Sequence, residues 1–190
     1  MQMVAASKLR RAQEQALAAR PYSERMERML RSLTANLMSA EDAPKLMVGT
    51  GKTDVHMIIV ATAERGLCGG FNSSIVRGVR RRIADLEGEG KKVKLLCIGR
   101  KGHDALKREF GEIIVDNVDM TGIKQLAFAD AHPITDHINE MFTAGEFDVC
   151  SIFYNRFVSV MDQQVTEQQL VPLSSVEVSD DDATPPSNSN

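Results

Sequence analysis

The residues of this sequence that could bind a phosphate lie in two glycine-containing segments. The first, residues 49–53 (GTGKT), ends like a P-loop, G-x-x-x-x-G-K-[ST], but that motif needs a glycine at position 46, where Leu46 stands. A P-loop also follows a strand and opens a helix, so that N–H groups at the helix start face the phosphate. Here the segment leads into a predicted strand. Both observations argue against a nucleotide site.

The second segment, residues 64–72 (ERGLCGGFN), lies between a predicted strand and a predicted helix. A loop in this position lies at the carboxyl edge of a parallel sheet, where dinucleotides bind. Its glycines do not form G-x-G-x-x-G, and no acidic residue ends the next predicted strand to hold a ribose. The spacing favours a tight turn, with Asn72 or Ser73 as the cap of the following helix.

The cysteines and histidines show no spacing typical of a metal site or a catalytic pair. Cys97 and Cys150 fall in apolar predicted strands, so we expect them to be core residues. Cys68 lies in the glycine-rich turn, where we expect an exposed thiol. His132 and His137 are five residues apart and would not share a helical face. The sequence therefore predicts no catalytic residue, no metal site and no bound cofactor.

A run of arginines, Arg80–Arg82, raises the question of nucleic-acid binding. The chain of 190 residues has a net charge of −3, only 5% aromatic residues and no tryptophan. A solvated helix face explains the run better, and no nucleic-acid partner is predicted. The charge is unevenly distributed: residues 1–40 carry seven Lys or Arg and three Glu, whereas residues 177–190 carry four acids and no base.

The elements that must position these residues follow from hydrophobic periodicity. Residues 1–40 predict a long helix with an apolar stripe at Met26, Met29/Leu30, Leu33 and Leu37, and Pro21 predicts a kink or a restart near Arg20. Residues 41–53 predict a linker. Beyond it, strands are predicted at 55–62, 93–98, 113–116, 148–154 and 160–173, and helices at 72–87, 99–110 and 130–144.

This alternation predicts one α/β domain over residues 54–176, a Rossmann-like, mainly parallel sheet with helices on both faces. Residues 177–190 (EVSDDDATPPSNSN) predict an acidic disordered tail. No stretch approaches ~18 consecutive apolar residues, so insertion into lipid is not expected.

Several segments resemble, in order along the chain, the gamma subunit family of the rotary F-type ATP synthase. The most specific are the helix MVAASKLRRAQ, within residues 1–13, and the loop GLCGGFN, within ATAERGLCGGFNSSIV (61–76). The others are ARPYSERM (19–26), IGRKG (98–102), FDVCSIFYNRFVSVMDQQ (147–164) and LVPL (170–173). The resemblance covers residues 1 to about 176.

The resemblance implies a rotor subunit that does no bond chemistry. The long N-terminal helix would form half of an antiparallel coiled coil inside the alpha–beta catalytic hexamer. The α/β domain would grip an epsilon-type subunit and sit on the ring of c subunits. Proton-driven rotation would then change the catalytic sites in turn. The protein would be peripheral, on the cytoplasmic face of a bacterial inner membrane or the matrix face of the mitochondrial inner membrane.

The resemblance also implies which residues contact other subunits. In the helix, those that match the stretch at the lower rim of the hexamer are Met1, Met3, Val4, Lys8, Arg10 and Arg11. In the loop, those that match the stretch close to the levers of the beta subunits are Arg65, Gly66, Leu67, Cys68, Gly69 and Gly70. No cofactor is implied.

The family pattern begins several turns before this Met1 and continues into a long C-terminal helix, so the resemblance implies that the coiled-coil partner of residues 1–20 is missing. Our hypothesis is that these residues fray in the isolated chain, or borrow a partner chain, while residues 53–173 stay folded. The alternative from another class is a stand-alone α/β protein that binds a nucleotide or another ligand through residues 49–53 or 66–70.

Overall fold

The structure, a computed structural model, describes residues 2–37, 43–123 and 127–173. Within these ranges the chain forms five α-helices, five strands and two 3-10 turns. In chain order they are α1 Gln2–Leu37, α2 Lys45–Val48, β1 Val55–Ala61, α3 Phe71–Gly88, β2 Lys92–Ile98, α4 Arg100–Phe110, a 3-10 turn Gly111–Ile113, β3 Ile114–Val118, a 3-10 turn Phe128–Ala131, α5 His132–Thr143, β4 Val149–Phe157 and β5 Gln163–Val171.

The five strands form one sheet in the order β3-β2-β1-β4-β5. β1, β2, β3 and β4 are parallel, and β5 pairs antiparallel with β4 through a short hairpin. The apolar run of β1 is buried from Met57 to Val60 because this strand lies at the centre of the sheet with helices over both faces. The predicted α/β class and mainly parallel sheet are confirmed.

Two hydrophobic clusters, one on each face of the sheet, hold the domain together. On one face, α3 packs the side chains of Ile75, Val79 and Ile83 against β1 and β2. On the other face, Met141 and Phe142 of α5 pack against the alternate side chains of the same strands. Each fully buried side chain of this size contributes about 1.5–3 kcal/mol to folding.

The long helix α1 differs from the prediction in one respect. It runs without a break from Gln2 to Leu37 with Pro21 inside it, so of the kink or restart predicted near Arg20 the restart is wrong. Proline removes one helical hydrogen bond, the one to the carbonyl of Leu17. Leu17 and Tyr22 are exposed here, so water can solvate that carbonyl and the helix continues. Residues 38–40, the end of the predicted helix, lie outside the described residues.

The other elements agree with the predictions to within a few residues, with one addition. The predicted linker at 41–53 contains the short helix α2, which begins directly after Pro44. The predicted acidic tail, residues 177–190, lies outside the described residues. In the described part of the chain, no helix combines the length and the apolar character that crossing a bilayer requires.

Candidate functional site

The glycine-rich loop of residues 62–70 leaves the carboxyl edge of the sheet between β1 and α3. The side chain of Asn72 holds it: its Oδ1 accepts from the N–H of Ala63 at 3.0 Å, and its Nδ2 lies 3.4 Å from the carbonyl oxygen of Arg65. The cap of α3 is Gly70, without a side-chain cap bond, so the prediction of Asn72 or Ser73 as the cap is wrong. Asn72 instead closes the loop.

Glu64 ties this loop to two others. Its carboxylate accepts from the N–H of Met120 at 2.7 Å and from the N–H of Arg100 at 3.1 Å, and the Thr121 hydroxyl lies 3.5 Å away. These donors follow β3 and β2, so one side chain joins the loops after three parallel strands. Sequence reasoning gave Glu64 no role. The available signal was an acid placed just after a buried strand, at the edge where such loops meet.

The ends of β1 and β2 approach each other very closely at Thr62 and Gly99. The N–H of Thr62 donates to the carbonyl of Ile98 at 2.8 Å, and the Thr62 hydroxyl accepts from the N–H of Gly102 at 2.8 Å. Gly99 has φ +89°, and a Cβ there would lie 2.2 Å from the Thr62 carbonyl oxygen. The start of the glycine-rich loop is therefore fixed against the start of α4.

The tip of the loop points into solvent. All of the predicted contact residues in it, Arg65 to Gly70, are exposed, and Leu67 is fully so, with a left-handed φ of 60°. Cys68 is exposed, as predicted, and its Sγ lies 3.1 Å from Nδ2 of Asn72. A rigid base with an exposed tip suits contact with another macromolecule better than enclosure of a small ligand.

Helix α1 places Arg10 and Arg11 at the same end of the domain. Arg20 donates through Nη2 to the carbonyl of Phe157, the last residue of β4, at 2.8 Å. Farther along, α1 follows β4 and β5 back towards Leu173, at the opposite edge of the sheet. Residues 2–15, which precede the part of α1 that lies beside these strands, therefore extend beyond the carboxyl edge, over about 21 Å at 1.5 Å per residue.

On this projecting stretch Arg10 and Arg11 are exposed, and Arg10 pairs with Glu14 at 3.0 Å. Met1 lies outside the described residues. Met3, Val4 and Lys8 belong to α1, but their side chains are outside the description. The structure thus brings the two exposed arginines and the loop of residues 65–70 to one end of the molecule.

The rival phosphate loop, residues 49–53, lies at the opposite edge, where the chain enters β1. The carboxylate of Asp148 lies against this segment: it accepts from the Thr50 hydroxyl at 2.9 Å and, directly after the segment, from the N–H groups of Asp54 and Val55 at 3.0 and 3.1 Å. A carboxylate in this position repels a phosphate and already binds the Thr50 hydroxyl. The geometry does not favour a nucleotide site here.

The role of Asp148 leads to a pH prediction. Burial alone raises the pKa of this carboxyl, but the hydrogen bonds from Val55, Thr50 and Asp54 outweigh burial and hold the pKa below its ordinary value. A lowered folded-state pKa stabilises the fold above the unfolded-state pKa, about 3.9, and this stability is lost as the pH falls through the folded-state pKa. In urea titrations, Asp148→Asn should lower the free energy of unfolding by about 1 kcal/mol at pH 7.

Below about pH 4, the stability of the Asp148→Asn variant should fall less steeply with acid than that of the parent chain. Asp136→Asn, at an exposed position of α5, is the control and should leave the free energy of unfolding at pH 7 within about 0.5 kcal/mol of that of the parent chain. Parallel acid limbs for the Asp148→Asn variant and the parent chain would contradict the assignment.

The remaining candidate groups behave as structural residues. Burial raises the pKa of the Cys97 thiol to about 11 and that of Cys150 to about 12, and both are core residues, as predicted. Arg80 pairs with Glu109 at 2.9 Å and Arg82 with Glu167 at 3.1 Å. Across residues 2–37, 43–123 and 127–173, no group of three or more His, Cys, Asp or Glu could hold a metal ion.

The sequence of this chain is similar to those of known proteins. A sequence model of the family described as ATP synthase matches residues 1–189. The curated ATP synthase gamma chain of Parvibaculum lavamentivorans is 57% identical over 174 residues, which are 92% of this chain and 59% of that protein. The gamma chain of Brucella anthropi is 54% identical over 178 residues, 94% of this chain and 61% of that protein. The chain thus spans about three-fifths of the length of these relatives.

Solved structures share the fold. A chain of the central stalk and c-ring of the Tetrahymena thermophila mitochondrial ATP synthase has a TM-score of 0.69 at 24% identity, covering 90% of this chain and 70% of that one. A chain of the Euglena gracilis mitochondrial ATP synthase rotor has a TM-score of 0.52 at 17% identity, covering 87% and 63%.

Proposed function

Because this chain belongs to the ATP synthase gamma chain family, we propose that it is part of the central stalk of a proton-translocating ATP synthase, where it couples rotation of the c-ring to conformational change at the catalytic alpha–beta sites. It performs no bond chemistry and needs no cofactor. Its α/β domain grips an epsilon-type subunit and rests on the c-ring. The protein is peripheral, on the cytoplasmic face of a bacterial inner membrane or the matrix face of a mitochondrial one.

The observation that carries the proposal is the direction of α1. The helix leaves the domain at the carboxyl edge of the sheet, so Arg10 and Arg11 extend beyond the same edge as the loop of residues 65–70. A partner that encloses residues 2–15 therefore also stands over this loop. We assign to these two segments the contact with the alpha–beta hexamer that the resemblance to this family implies.

The positive charges of Arg10 and Arg11 suit a contact between two subunits that rotate relative to each other. Exposed ion pairs contribute only about 0–1 kcal/mol each. Arg10 and Arg11 can therefore attract acidic levers of the beta subunits without locking the stalk to one of them. The exposed stripe of α1, with Met29 and Leu33 both half exposed, offers the apolar face that a coiled-coil partner would cover.

The direct test is binding to an alpha–beta hexamer reconstituted from the Parvibaculum lavamentivorans subunits. Reversing both charges, Arg10→Glu with Arg11→Glu, should weaken binding by about 5- to 30-fold, which corresponds to about 1–2 kcal/mol. The matched control reverses two exposed arginines one turn apart on α3, Arg77→Glu with Arg81→Glu, and should leave the affinity unchanged. Equal weakening by both pairs would indicate a general charge effect and contradict the proposed contact.

The rival function, ligand binding through a glycine loop, predicts a different result. A ligand at 100 times its Kd raises the free energy of unfolding by about 2.7 kcal/mol. We expect millimolar ATP or NAD to leave the thermal midpoint of the chain unchanged. A saturable increase in the thermal midpoint would favour ligand binding if Asp148→Asn or a substitution at residues 66–70 altered that increase.

A further inference from the structure

The most exposed large apolar side chains of the described residues lie on three different loops. Leu67 is fully exposed, Met161 is 95% exposed and Phe128 is 75% exposed. Leu67 is at the tip of the loop after β1, Phe128 is in the connection from β3 to α5, and Met161 is in the hairpin between β4 and β5. Large apolar side chains in such positions indicate a surface that contacts another molecule.

All three loops belong to one end of the domain. β1, β3 and β4 are parallel to one another within the sheet, so the segments that follow them leave the same carboxyl edge. Phe128 is four residues before α5, which starts at this edge because it must run back to the beginning of β4. The sequence-derived contact residues include Leu67 but neither Phe128 nor Met161.

Local hydrogen bonds hold the two additional tips in place. Before α5, the carboxylate of Asp130 accepts from the N–H of Ala127 at 2.7 Å, and the ring of Phe128 stands edge-on to that of His132, with centroids 5.2 Å apart. In the hairpin, the carbonyl of Asp162 accepts from the N–H groups of Val158 and Ser159 at 3.2 and 2.9 Å. Preorganised tips lose little entropy when they are buried against a partner.

We propose that Phe128 and Met161, together with Leu67, form a second, apolar contact surface for the same alpha–beta hexamer that receives α1. The inference rests on the proposed function. Residues 2–15 extend over about 21 Å from this edge, so a hexamer that encloses them brings its rim over the three tips.

The chemistry of these tips suits a rotating contact. Apolar burial is non-directional and follows the area removed from water rather than an angle between donor and acceptor. Contacts from Phe128 and Met161 to apolar side chains on the rim can therefore be exchanged from one beta subunit to the next with little change in free energy. The loop arginine Arg65 adds attraction to acidic groups beside them.

The test measures how fast a maleimide labels single thiols in the full chain. The background is Cys68→Ser, since the buried thiols of Cys97 and Cys150, with raised pKa values, do not compete. The test variants are Phe128→Cys and Met161→Cys. The matched control is Leu46→Cys, on α2 at the opposite edge, and Arg11→Cys reports whether the helix has entered the hexamer.

With saturating hexamer, labelling should slow about tenfold or more at positions 128, 161 and 11, and stay unchanged at position 46. Slow labelling at 11 with unchanged labelling at 128 and 161 would overturn this inference alone. Unchanged labelling at all positions would overturn the proposed function and the inference with it. Protection of 128 and 161 by the epsilon-type subunit alone, or by raising the concentration of the chain alone, would assign the surface to that partner or to a second copy and overturn the inference.

Discussion

Replacing Gly99 with alanine should lower the free energy of unfolding of this chain by about 3–5 kcal/mol. Gly99 has φ +89° and ψ 134°, a conformation that L side chains rarely adopt. The added Cβ would also lie 2.2 Å from the carbonyl oxygen of Thr62 and 2.8 Å from its carbonyl carbon. Strain and collision act together, because the obstructing atoms are backbone.

The Thr62 carbonyl cannot move aside without further losses. The N–H of Thr62 donates to the carbonyl of Ile98 at 2.8 Å, and the hydroxyl of Thr62 accepts from the N–H of Gly102 at 2.8 Å. Displacing Thr62 would break these bonds and shift the base of the glycine-rich loop. We therefore also expect Gly99→Ala to weaken binding to the alpha–beta hexamer under conditions where the variant is still folded.

Urea titration followed by circular dichroism measures the effect on stability. The control is Gly88→Ala at the end of α3, where an added Cβ has no neighbour within 4 Å. This change should be neutral or stabilising by up to about 1 kcal/mol, since alanine is the better helix former. A Gly99→Ala variant within 1 kcal/mol of the parent would show that the two strand ends are not held as closely as described.

The order of strands and helices could be predicted from sequence because it is encoded locally. The apolar run of β1 and the 3.6-residue periodicity of α3 each lie within one short window, and their alternation implies a parallel sheet. The position of the glycine-rich loop at the carboxyl edge follows from the same alternation. Six of the predicted contact residues are thus placed in an exposed loop by local pattern alone.

The contacts that hold the site could not be predicted in this way because they join distant parts of the chain. Glu64 accepts from Met120, 56 residues away, and Asp148 accepts from Thr50, 98 residues away. Periodicity says nothing about which acid meets which backbone donor. Which loops lie beside one another along the carboxyl edge, those of Phe128, Leu67 and Met161 included, likewise depends on strand order, which only the folded sheet reveals.

At Pro21 a local rule predicted a break that the fold does not have: proline usually interrupts a helix, but α1 continues through it. A proline in a helix costs about 3 kcal/mol or more when it removes a hydrogen bond and its ring meets the preceding turn. In α1 the side chains of Leu17 and Tyr22 are exposed, so the freed carbonyl is accessible to solvent, and Arg20 anchors the helix to β4 at this turn. Tertiary contact therefore outweighs the local signal.

The second large effect is expected at Phe147, which no sequence pattern identified. It follows α5 in the connection to β4, yet its side chain is fully buried against the ring of Phe142, with centroids 5.5 Å apart. The N–H of the next residue, Asp148, donates to the carbonyl of Val55 at 2.9 Å, so the backbone cannot collapse into a cavity here. Phe147→Ala should therefore lower the free energy of unfolding by about 3–5 kcal/mol.

The same substitution at Phe128 is the control, since that ring is 75% exposed and α5 lies between the two positions. Phe128→Ala should change the free energy of unfolding by no more than about 0.5 kcal/mol. Equal losses at the two positions would mean that Phe128 is packed in the isolated chain and is not free to contact a partner. A large loss of unfolding free energy at position 147 with a negligible one at 128 would show that Phe147 stabilises the core, whereas Phe128 is available for contact with a partner.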